Sequence, residues 1–396
     1  MSQFQAHIKR RDFSEPIALP NLTLNPLRWS WQDVGGPDYA EIAIDGIQNQ
    51  LWAALQWLRC PVVIYGNGIP VWWGYVADVA FSTDAVDIAV SMADMANKIA
   101  VAYSFVDAGT QTVGTRATTA WAEDTISSGE YGVKELLASV DGATTAQAEI
   151  VRDRLLAMKK YPAAIPQAEI VRDRLLAMKK YPAAIPQASG VKNRSLSVGQ
   201  YSRGGKAVHG AGRLVCLGWW KTLDWRYYGN GGTASTVTTT QISDIITASG
   251  AFFTGTDVVD ASGVSSSQYR DGDSTALAEI AELLRTPTSG SGRTRATVTT
   301  ERLLRIETEA DSSVSDWIVT PDGIRDRWGG QPAAGTAVIG WSQLRGVVPD
   351  SANLGYMSVP SPFYIDENEY DAIENSYRWR ARGAPSAWEL TRMQQG

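Results

Sequence analysis

The chain has 396 residues, a mass of 42.9 kDa and a net charge of −6. At roughly 100–200 residues per domain, this length predicts about two to four domains. The 36 Lys and Arg against 42 Asp and Glu leave no basic excess to neutralise a phosphate backbone, so we expect no nucleic-acid partner. Two cysteines cannot form a disulfide framework, and two histidines leave few ligands for zinc.

The N-terminal residues do not resemble a signal peptide, which predicts that the protein is not exported. They place Lys9, Arg10 and Arg11 where a signal peptide needs an apolar run of about 7–15 residues. Apolar runs elsewhere fall short of the roughly 18 residues that span a bilayer. We therefore expect a soluble protein made in a cytoplasm, without a membrane span.

Tryptophan is unusually abundant, with 15 residues against 7 phenylalanines. Several occur in clusters, among them Trp72 and Trp73, and Trp219 and Trp220. Large amphipathic rings suit three roles: filling the cores of small β-barrels, anchoring subunit interfaces and stacking on sugars. The sequence leaves all three open.

The N-terminal third reads as mainly β. Prolines between residues 16 and 30 predict short extended segments, followed by a turn at Gly35 and Gly36. A strand over 39–44 and a helix over 47–58 come next. The clearest local pattern is a hairpin, since 61–65 and 71–76 are rich in β-formers and flank a Gly-Asn-Gly turn. Residues 85–90 alternate and predict a third antiparallel strand.

A helix is predicted from Thr144, because Thr144 and Gln147 match a capping box, and Pro162 ends it. Residues 148–167 then recur without a change as 168–187. Solenoid repeats diverge and need three or more copies, so an identical pair indicates a recent duplication or a cloning error. Proline residues between the copies argue against one long helix. We expect one copy in the ancestral place and the other as an additional surface helix.

The C-terminal half predicts a mixture of strands and helices. We expect a strand over 213–220 with a partner strand over 222–228, and helices over 241–246 and 275–284. Asp273 or Ser274 is the expected N-cap of the second helix. A strand pair over 295–299 and 302–307 follows, then a strand over 317–319. The basic, aromatic run 377–382 reads as a solvated strand or an interface arm rather than an RNA site, since the chain is acidic.

Signatures of catalysis are weak throughout. No serine lies in a G-x-S-x-G motif, and His209 lies in a glycine-rich stretch that predicts a surface loop. Asp271 and Asp273 do not follow the EF-hand spacing. Cys60 and Cys216 read as ordinary buried thiols. We therefore assign no catalytic, cofactor-binding or metal-binding residue, and expect no enzyme and no cofactor.

Several motifs, taken in order, resemble minor tail proteins of tailed bacteriophages, of the baseplate-hub or tail-tip type. The resemblance covers about residues 70 to 365, and the identical duplication departs from it. The motifs are VWWGYV at 71–76, VDIAV at 86–90, ADMANK at 93–98, TAWAED at 119–124, SGEYGVKE at 128–135, GWWKTLDWRYY at 218–228, YRDGDSTAL at 269–277 and PFYI at 362–365.

The resemblance implies an α+β, mainly β fold with small antiparallel β-barrel domains of tail-hub type and a helical insertion. The segments would be a first β-barrel domain (1–110), a helical segment with the duplication (111–190), a second β-rich domain with helices (191–325) and a C-terminal β-rich arm (326–396). Trp72, Trp73, Trp219 and Trp220 become candidate barrel-wall or interface residues.

The function implied is a structural hub, a homotrimer that closes the tail tube and carries the tip. Its partners would be distal tail, tail-tube and tip or fibre proteins, at the tail tip of a virion assembled in the bacterial cytoplasm. Two alternatives stay open. A carbohydrate- or receptor-binding tail protein would change its tryptophan fluorescence with glycans, and a cell-wall hydrolase with a carboxylate pair would clear peptidoglycan.

Overall fold

The structure is a computed structural model. It describes residues 4–17, 22–32, 34–83, 86–104, 116–164, 209–231, 237–259, 264, 270–285 and 294–308, together with the short segments 318–319, 337–340, 345–348, 353–354, 357–358, 363–373 and 376–381. Within these residues no helix is long and apolar enough to cross a membrane.

Strands predominate over helices, which agrees with the predicted α+β, mainly β class. The helices are α1 (Gln48–Ala54), α2 (Thr125–Tyr131), α3 (Thr145–Lys159), α4 (Thr238–Ser249) and α5 (Ala276–Arg285), with 3-10 helices at Leu55–Trp57 and Trp219–Trp225. The strands are β1 (Phe4–Ile8), β2 (Leu22–Gln32), β3 (Gly36–Ile47), β4 (Pro61–Gly66), β5 (Ile69–Thr83), β6 (Val86–Ser91), β7 (Lys98–Ser104), β8 (Ala117–Thr118), β9 (Ala122–Glu123), β10 (Glu135–Asp141), β11 (Ala163–Ala164), β12 (His209–Leu217), β13 (Tyr227–Gly229), β14 (Gly255–Val259), β15 (Asp271–Thr275), β16 (Thr294–Val298), β17 (Leu303–Thr308), β18 (Ile318–Val319), β19 (Ala337–Gly340), β20 (Arg345–Val348), β21 (Asn353–Leu354), β22 (Met357–Ser358), β23 (Phe363–Asp371) and β24 (Ser376–Ala381).

A curled antiparallel sheet forms the centre of the molecule. Its strands pair in the order β1, β4, β5, β12, β3 and β2. Rings close the gap between the outermost two strands: Phe4 of β1 lies 4.9 Å from Trp29 of β2, and both contact Tyr370 of β23. Alternate side chains fill the interior, among them Ile42, Ile64 and Leu214. The sheet is therefore curled into a half-barrel, with aromatic packing rather than strand pairing between β1 and β2, and we refer to it as the barrel.

The predicted hairpin is confirmed as β4 and β5, and the predicted third strand as β6, which pairs antiparallel with β5. A β-bulge interrupts β5, since Val76 pairs with Cys216 whereas Asp78 pairs with Val215. The extra residue, Ala77, changes which side chains of β5 face the barrel interior. Both cysteines are buried and free, as expected.

The barrel wall continues into an arm. The C-terminal half of β2 pairs on its other edge with β23, and β20, β19 and β18 follow in sequence beyond it. Strand β24 also pairs with β23, so the predicted 377–382 segment is a strand. One thirteen-stranded sheet thus runs from the barrel into these strands.

A second, four-stranded sheet carries the predicted helical segment. Strands β7 and β10 are parallel, β8 and β9 pair with β7, and α3 packs on β7. The capping box is confirmed: Thr144 accepts a hydrogen bond from the Gln147 amide, and the Gln147 side chain accepts one from the Thr144 amide. The sequence thus specified where this helix begins.

A third sheet, in the order β14, β17, β16, packs with α4 and α5. It confirms both predicted helices and the predicted strand pair, which is antiparallel. The predicted N-cap of α5 is wrong. Thr275 accepts the hydrogen bond from the Ala278 amide, because Asp273 lies in β15 and forms an ion pair with Arg116.

The strand pair predicted over 213–228 is also wrong. The first strand is β12, which ends at Leu217 and pairs with β3 and β5 on its two edges. Residues Trp219–Trp225 form a 3-10 helix, and only Tyr227–Gly229 returns to a strand. His209, which was predicted to lie in a surface loop, is instead the first residue of β12.

The described part of the duplication is residues 148–164 of its first copy. Arg152 of α3 donates to the Ala120 carbonyl, the Lys159 carbonyl accepts from the Ala96 amide, and Lys160 pairs with Asp124. Strand β11 then pairs with β6. The second copy, 168–187, lies outside the described residues. The four predicted domain segments stay a prediction, although β12 and β23 both pair with strands of residues 1–110.

Deleting residues 168–187 is expected to leave the fold intact. The copies are identical, so removing either one gives the same chain, and the remaining copy still follows Thr144 and keeps its capping box. We expect the melting temperature to change by less than about 2 °C, a shift of roughly 1–2 kcal/mol for a chain of this size. A deletion variant that failed to fold would show that the second copy is needed.

Candidate functional site

The four predicted tryptophans lie in or beside the barrel, but not on one surface. Trp72 points into the barrel and is fully buried, and its indole nitrogen has no acceptor among the described residues. Because side chains alternate along a strand, Trp73 lies on the outer face. Its indole donates a 3.1 Å hydrogen bond to the Val298 carbonyl of β16. The barrel wall is thereby joined to the third sheet.

Trp31 completes this contact. Its ring meets the Trp73 ring edge-to-face, with centroids 4.8 Å apart, and its indole donates to the Val71 carbonyl at 2.9 Å. Both indoles therefore combine apolar packing with a main-chain hydrogen bond, as buried tryptophan usually does.

Trp220 holds the loop before β3 against β16. A methyl group on Gly35 would lie 2.7 Å from the Trp220 ring, and the Gly35 φ of +100° favours glycine. The Gly35 amide donates to the Ala296 carbonyl at 2.7 Å. The loop thus lies between the indole of the 3-10 helix and the edge of the third sheet.

Trp219 and Trp225 lie on another side of the same 3-10 helix, packed on the barrel. Tyr75 of β5 contacts both, at centroid distances of 5.3 and 5.4 Å, and so does Phe252 from the loop after α4, at 5.5 and 5.6 Å. Phe13 lies 5.2 Å from Trp219. We call these five residues, with Trp31, Trp73 and Trp220, the tryptophan junction.

Arginines cover the Phe13 and Phe252 rings. The Arg302 guanidinium lies 3.5 Å from the Phe13 centroid and donates to the Phe252 carbonyl, and Arg59 lies 5.2 Å from the Phe252 centroid. Phe13, Arg59 and Arg302 all have φ near +65°, which costs a non-glycine residue about 1–2 kcal/mol. These contacts offset that strain.

Burial makes Arg59 an unusual cation. Burial, together with the neighbouring charges of Arg11 and Arg302, lowers the pKa of its guanidinium to about 10. Arg59 donates to the Arg11 and Glu130 carbonyls, while the Glu130 carboxylate pairs with Arg11 at 2.6 Å. These contacts join the N-terminal loop to α2.

Lys134 lies beneath Trp225, with its Nζ 5.7 Å from the ring centroid, and donates to the Met92 and Ala93 carbonyls at 2.7 Å. Burial is the main cause that lowers its pKa to about 8. The charge of Lys159 acts in the same direction, whereas the nearby Asp224, Asp94 and Asp78 partly oppose it. The next residue, Glu135, pairs with Lys98 and Arg226 and accepts from the Tyr227 amide. These two residues attach the second sheet to the junction.

Lys134 gives the stability a specific pH dependence. Between about pH 8 and pH 10.5 the unfolded chain keeps the proton on Lys134 while the folded chain has released it, so folding becomes more favourable as pH rises. Relative to Lys134→Met, the wild type should gain about 1–2 kcal/mol between pH 7.5 and 9.5. Urea unfolding of both chains at each pH measures this, and a constant difference would show that Lys134 does not titrate in this range.

The junction offers hydrogen bonds and ring surfaces rather than reactive groups. Burial raises the pKa of Tyr75 and of the Cys216 and Cys60 thiols, which keeps all three in their neutral forms. Among the described residues no group of three His, Cys, Asp or Glu side chains is placed to hold a metal ion. This arrangement can join three sheets.

The sequence missed most of the junction. Trp31, Tyr75, Trp225 and Phe252 are distant from one another along the chain, so no local pattern groups them. The clusters of aromatic residues in the sequence were the signal available for predicting the junction. Of the tryptophans whose side chains are described, Trp121 is the most exposed, at 38%. It contacts Lys98 at 5.5 Å and Tyr227 at 6.1 Å.

The chain was compared with protein-family models, curated proteins and solved structures. No family model matches this chain, and no curated protein matches it. Among solved structures, the 43 kDa tail protein of prophage MuSo2 from Shewanella oneidensis matches over 96% of both chains, with 9% identity and a TM-score of 0.40.

Proposed function

We propose that this chain is a structural, non-enzymatic protein of a bacteriophage tail that forms the baseplate hub or tail tip as a homotrimer. It would close the tail tube and attach the distal tip proteins. The ordered sequence motifs that resemble minor tail proteins support this proposal. The observation that carries it is the continuous sheet from the barrel wall through β2 and β23 into β20, β19 and β18.

An arm of this kind suits assembly into a ring. Edge strands present main-chain groups that can pair with another chain, and a head-to-tail contact repeated by a three-fold rotation closes on itself. The junction would supply the rigidity that a ring needs, because it joins the barrel to both smaller sheets through buried rings and main-chain hydrogen bonds.

A proline in the arm tests this role. Val338 lies in β19 between Ile318 of β18 and Val347 of β20, and Val338→Pro removes an amide there and restricts the backbone. We expect this variant to keep the barrel's near-UV circular dichroism but to lose the trimer in analytical ultracentrifugation. Val338→Thr keeps the amide and the β-branched shape, so it is the matched control. Equal masses for the two variants, or loss of the barrel signal in the proline variant, would contradict the proposed role of the arm.

Trp121 favours a second candidate, the carbohydrate- or receptor-binding tail protein. An exposed indole beside Lys98 and Tyr227 is a possible stacking surface for a sugar ring. Tryptophan fluorescence should then change with cell-wall glycans in the wild type and not in Trp121→Ala. If glycans changed the tryptophan fluorescence of neither protein, the result would contradict sugar binding at Trp121.

A further inference from the structure

The tetrapeptide Tyr-Gly-Asn-Gly occurs twice in the chain, at 65–68 and at 228–231. In both copies an asparagine precedes a glycine, and this order favours loss of ammonia from the asparagine, because glycine has no side chain to shield its amide nitrogen. The local sequence is the same at both sites, so a difference in their reactivity must come from the fold.

Asn67 lies at the tip of the β4–β5 hairpin. Gly66 and Ile69 form the last pair of the two strands, and Asn67 and Gly68 between them have φ of +52° and +83°. These angles match a two-residue type I′ turn. Asn67 and Gly68 are exposed, and no hydrogen bond joins the Asn67 side chain or the Gly68 amide to another described residue. The Asn67 side chain is therefore able to turn toward the Gly68 nitrogen.

Asn230 is held by Arg270 instead. The Asn230 amide donates to the Arg270 carbonyl at 3.3 Å, and the Asn230 side-chain oxygen accepts from the Arg270 amide at 3.1 Å. Asn230 is also half-buried. Its side chain must leave these contacts before it reacts, and local opening of this kind costs free energy.

We propose that Asn67 is a site of spontaneous deamidation, from which the fold protects Asn230. The Gly68 amide nitrogen gives up its proton and bonds to the side-chain carbonyl carbon of Asn67, and the side-chain nitrogen of Asn67 leaves as ammonia. Water then opens the resulting succinimide ring at either carbonyl, which yields aspartate or isoaspartate. The hairpin tip gains a negative charge, and in isoaspartate the main chain also gains a CH2 group.

Mass spectrometry of the aged protein tests this proposal. The purified chain is incubated at mildly alkaline pH and digested with pepsin at low pH, where ring closure is slow, and the exchange of NH2 for OH is followed at each asparagine. In the folded chain we expect position 67 to react at least about five-fold faster than position 230. In denaturing urea the two sites should react at equal rates, because their tetrapeptides are identical.

Three outcomes of this experiment would overturn the proposal. They are equal rates at the two sites in the folded chain, faster reaction at Asn230, and an Asn67 that stays unmodified in the folded chain while the unfolded chain reacts.

Gly68→Ala tests the ring-closing step. The added methyl group shields the amide nitrogen and would meet no atom within 4 Å, so the hairpin should still form. We expect deamidation at Asn67 to slow several-fold. Gly231→Ala is the matched control, since its methyl group also meets no atom within 4 Å, and it should leave Asn67 reacting at the wild-type rate. An unchanged rate at Asn67 in Gly68→Ala would overturn the proposed reaction.

Discussion

Arg295→Met is expected to destabilise the protein by about 3–5 kcal/mol, the cost of removing one member of a buried ion pair. Arg295 lies in β16 and is fully buried, directly opposite Glu307 of β17. Its Nε and Nη2 donate to one Glu307 oxygen at 3.1 and 2.6 Å. Removing the guanidinium takes both of these hydrogen bonds from the buried carboxylate, whose other oxygen lies 3.5 Å from Arg305. Urea unfolding followed by fluorescence measures the loss.

The double variant Arg295→Met with Glu307→Leu separates the effect of the charge from the effect of packing. Replacing a buried ion pair by apolar residues of similar size is often neutral or stabilising, so the double variant should recover most of the loss. Arg305→Met removes the half-exposed cation and should cost less than about 1 kcal/mol. A double variant as unstable as Arg295→Met would show that the loss reflects packing rather than the broken ion pair.

Gly218→Ala is expected to cost about 3 kcal/mol or more, through overlap with main-chain atoms. Gly218 joins β12 to the 3-10 helix, and its amide donates to the Asp38 carbonyl. A methyl group there would overlap the Pro37 carbonyl oxygen, which is backbone of β3 and cannot rotate away. The 3-10 helix would have to move, and Trp219 and Trp220 with it. Loss of near-UV circular dichroism and a lower urea midpoint would report the change.

Gly129→Ala is the matched control for this substitution. Gly129 lies within α2, is exposed, and has no atom within 4 Å of an added methyl group. Alanine is favoured over glycine inside a helix, so this variant should be unchanged or more stable by up to about 1 kcal/mol. If both alanine variants destabilised the protein equally, the close approach at Gly218 would not be the cause of the stability loss in Gly218→Ala.

Local chemistry predicted the elements whose signals lie within a few residues. The Gly-Asn-Gly turn specified the β4–β5 hairpin, and Thr144 with Gln147 specified the start of α3. The same approach failed at Trp219–Trp225, because a short apolar run reads alike as a buried strand or a buried helical turn. Contacts with the barrel decide between a strand and a helical turn here. Gly218 lies so close to the Pro37 backbone that a side chain would overlap it, and Trp220 packs on Gly35.

The tryptophan junction was beyond prediction for a related reason. Trp73 and its acceptor, the Val298 carbonyl, are separated by 225 residues, and nothing near either residue indicates the other. The strain at Phe13, Arg59 and Arg302 is equally non-local, because a positive φ at such residues is held by tertiary contacts. Composition indicated that tryptophan mattered, and the fold determined which tryptophans meet.

The native mass of the purified chain, with negative-stain images of the same sample, tests the proposed hub most directly. A ring-shaped species near three times 42.9 kDa, about 129 kDa, is the predicted result. It should persist on dilution to the low micromolar range, as expected for an interface that serves an assembled particle. A single species at 42.9 kDa at every concentration, with no rings in the images, would contradict the homotrimeric hub.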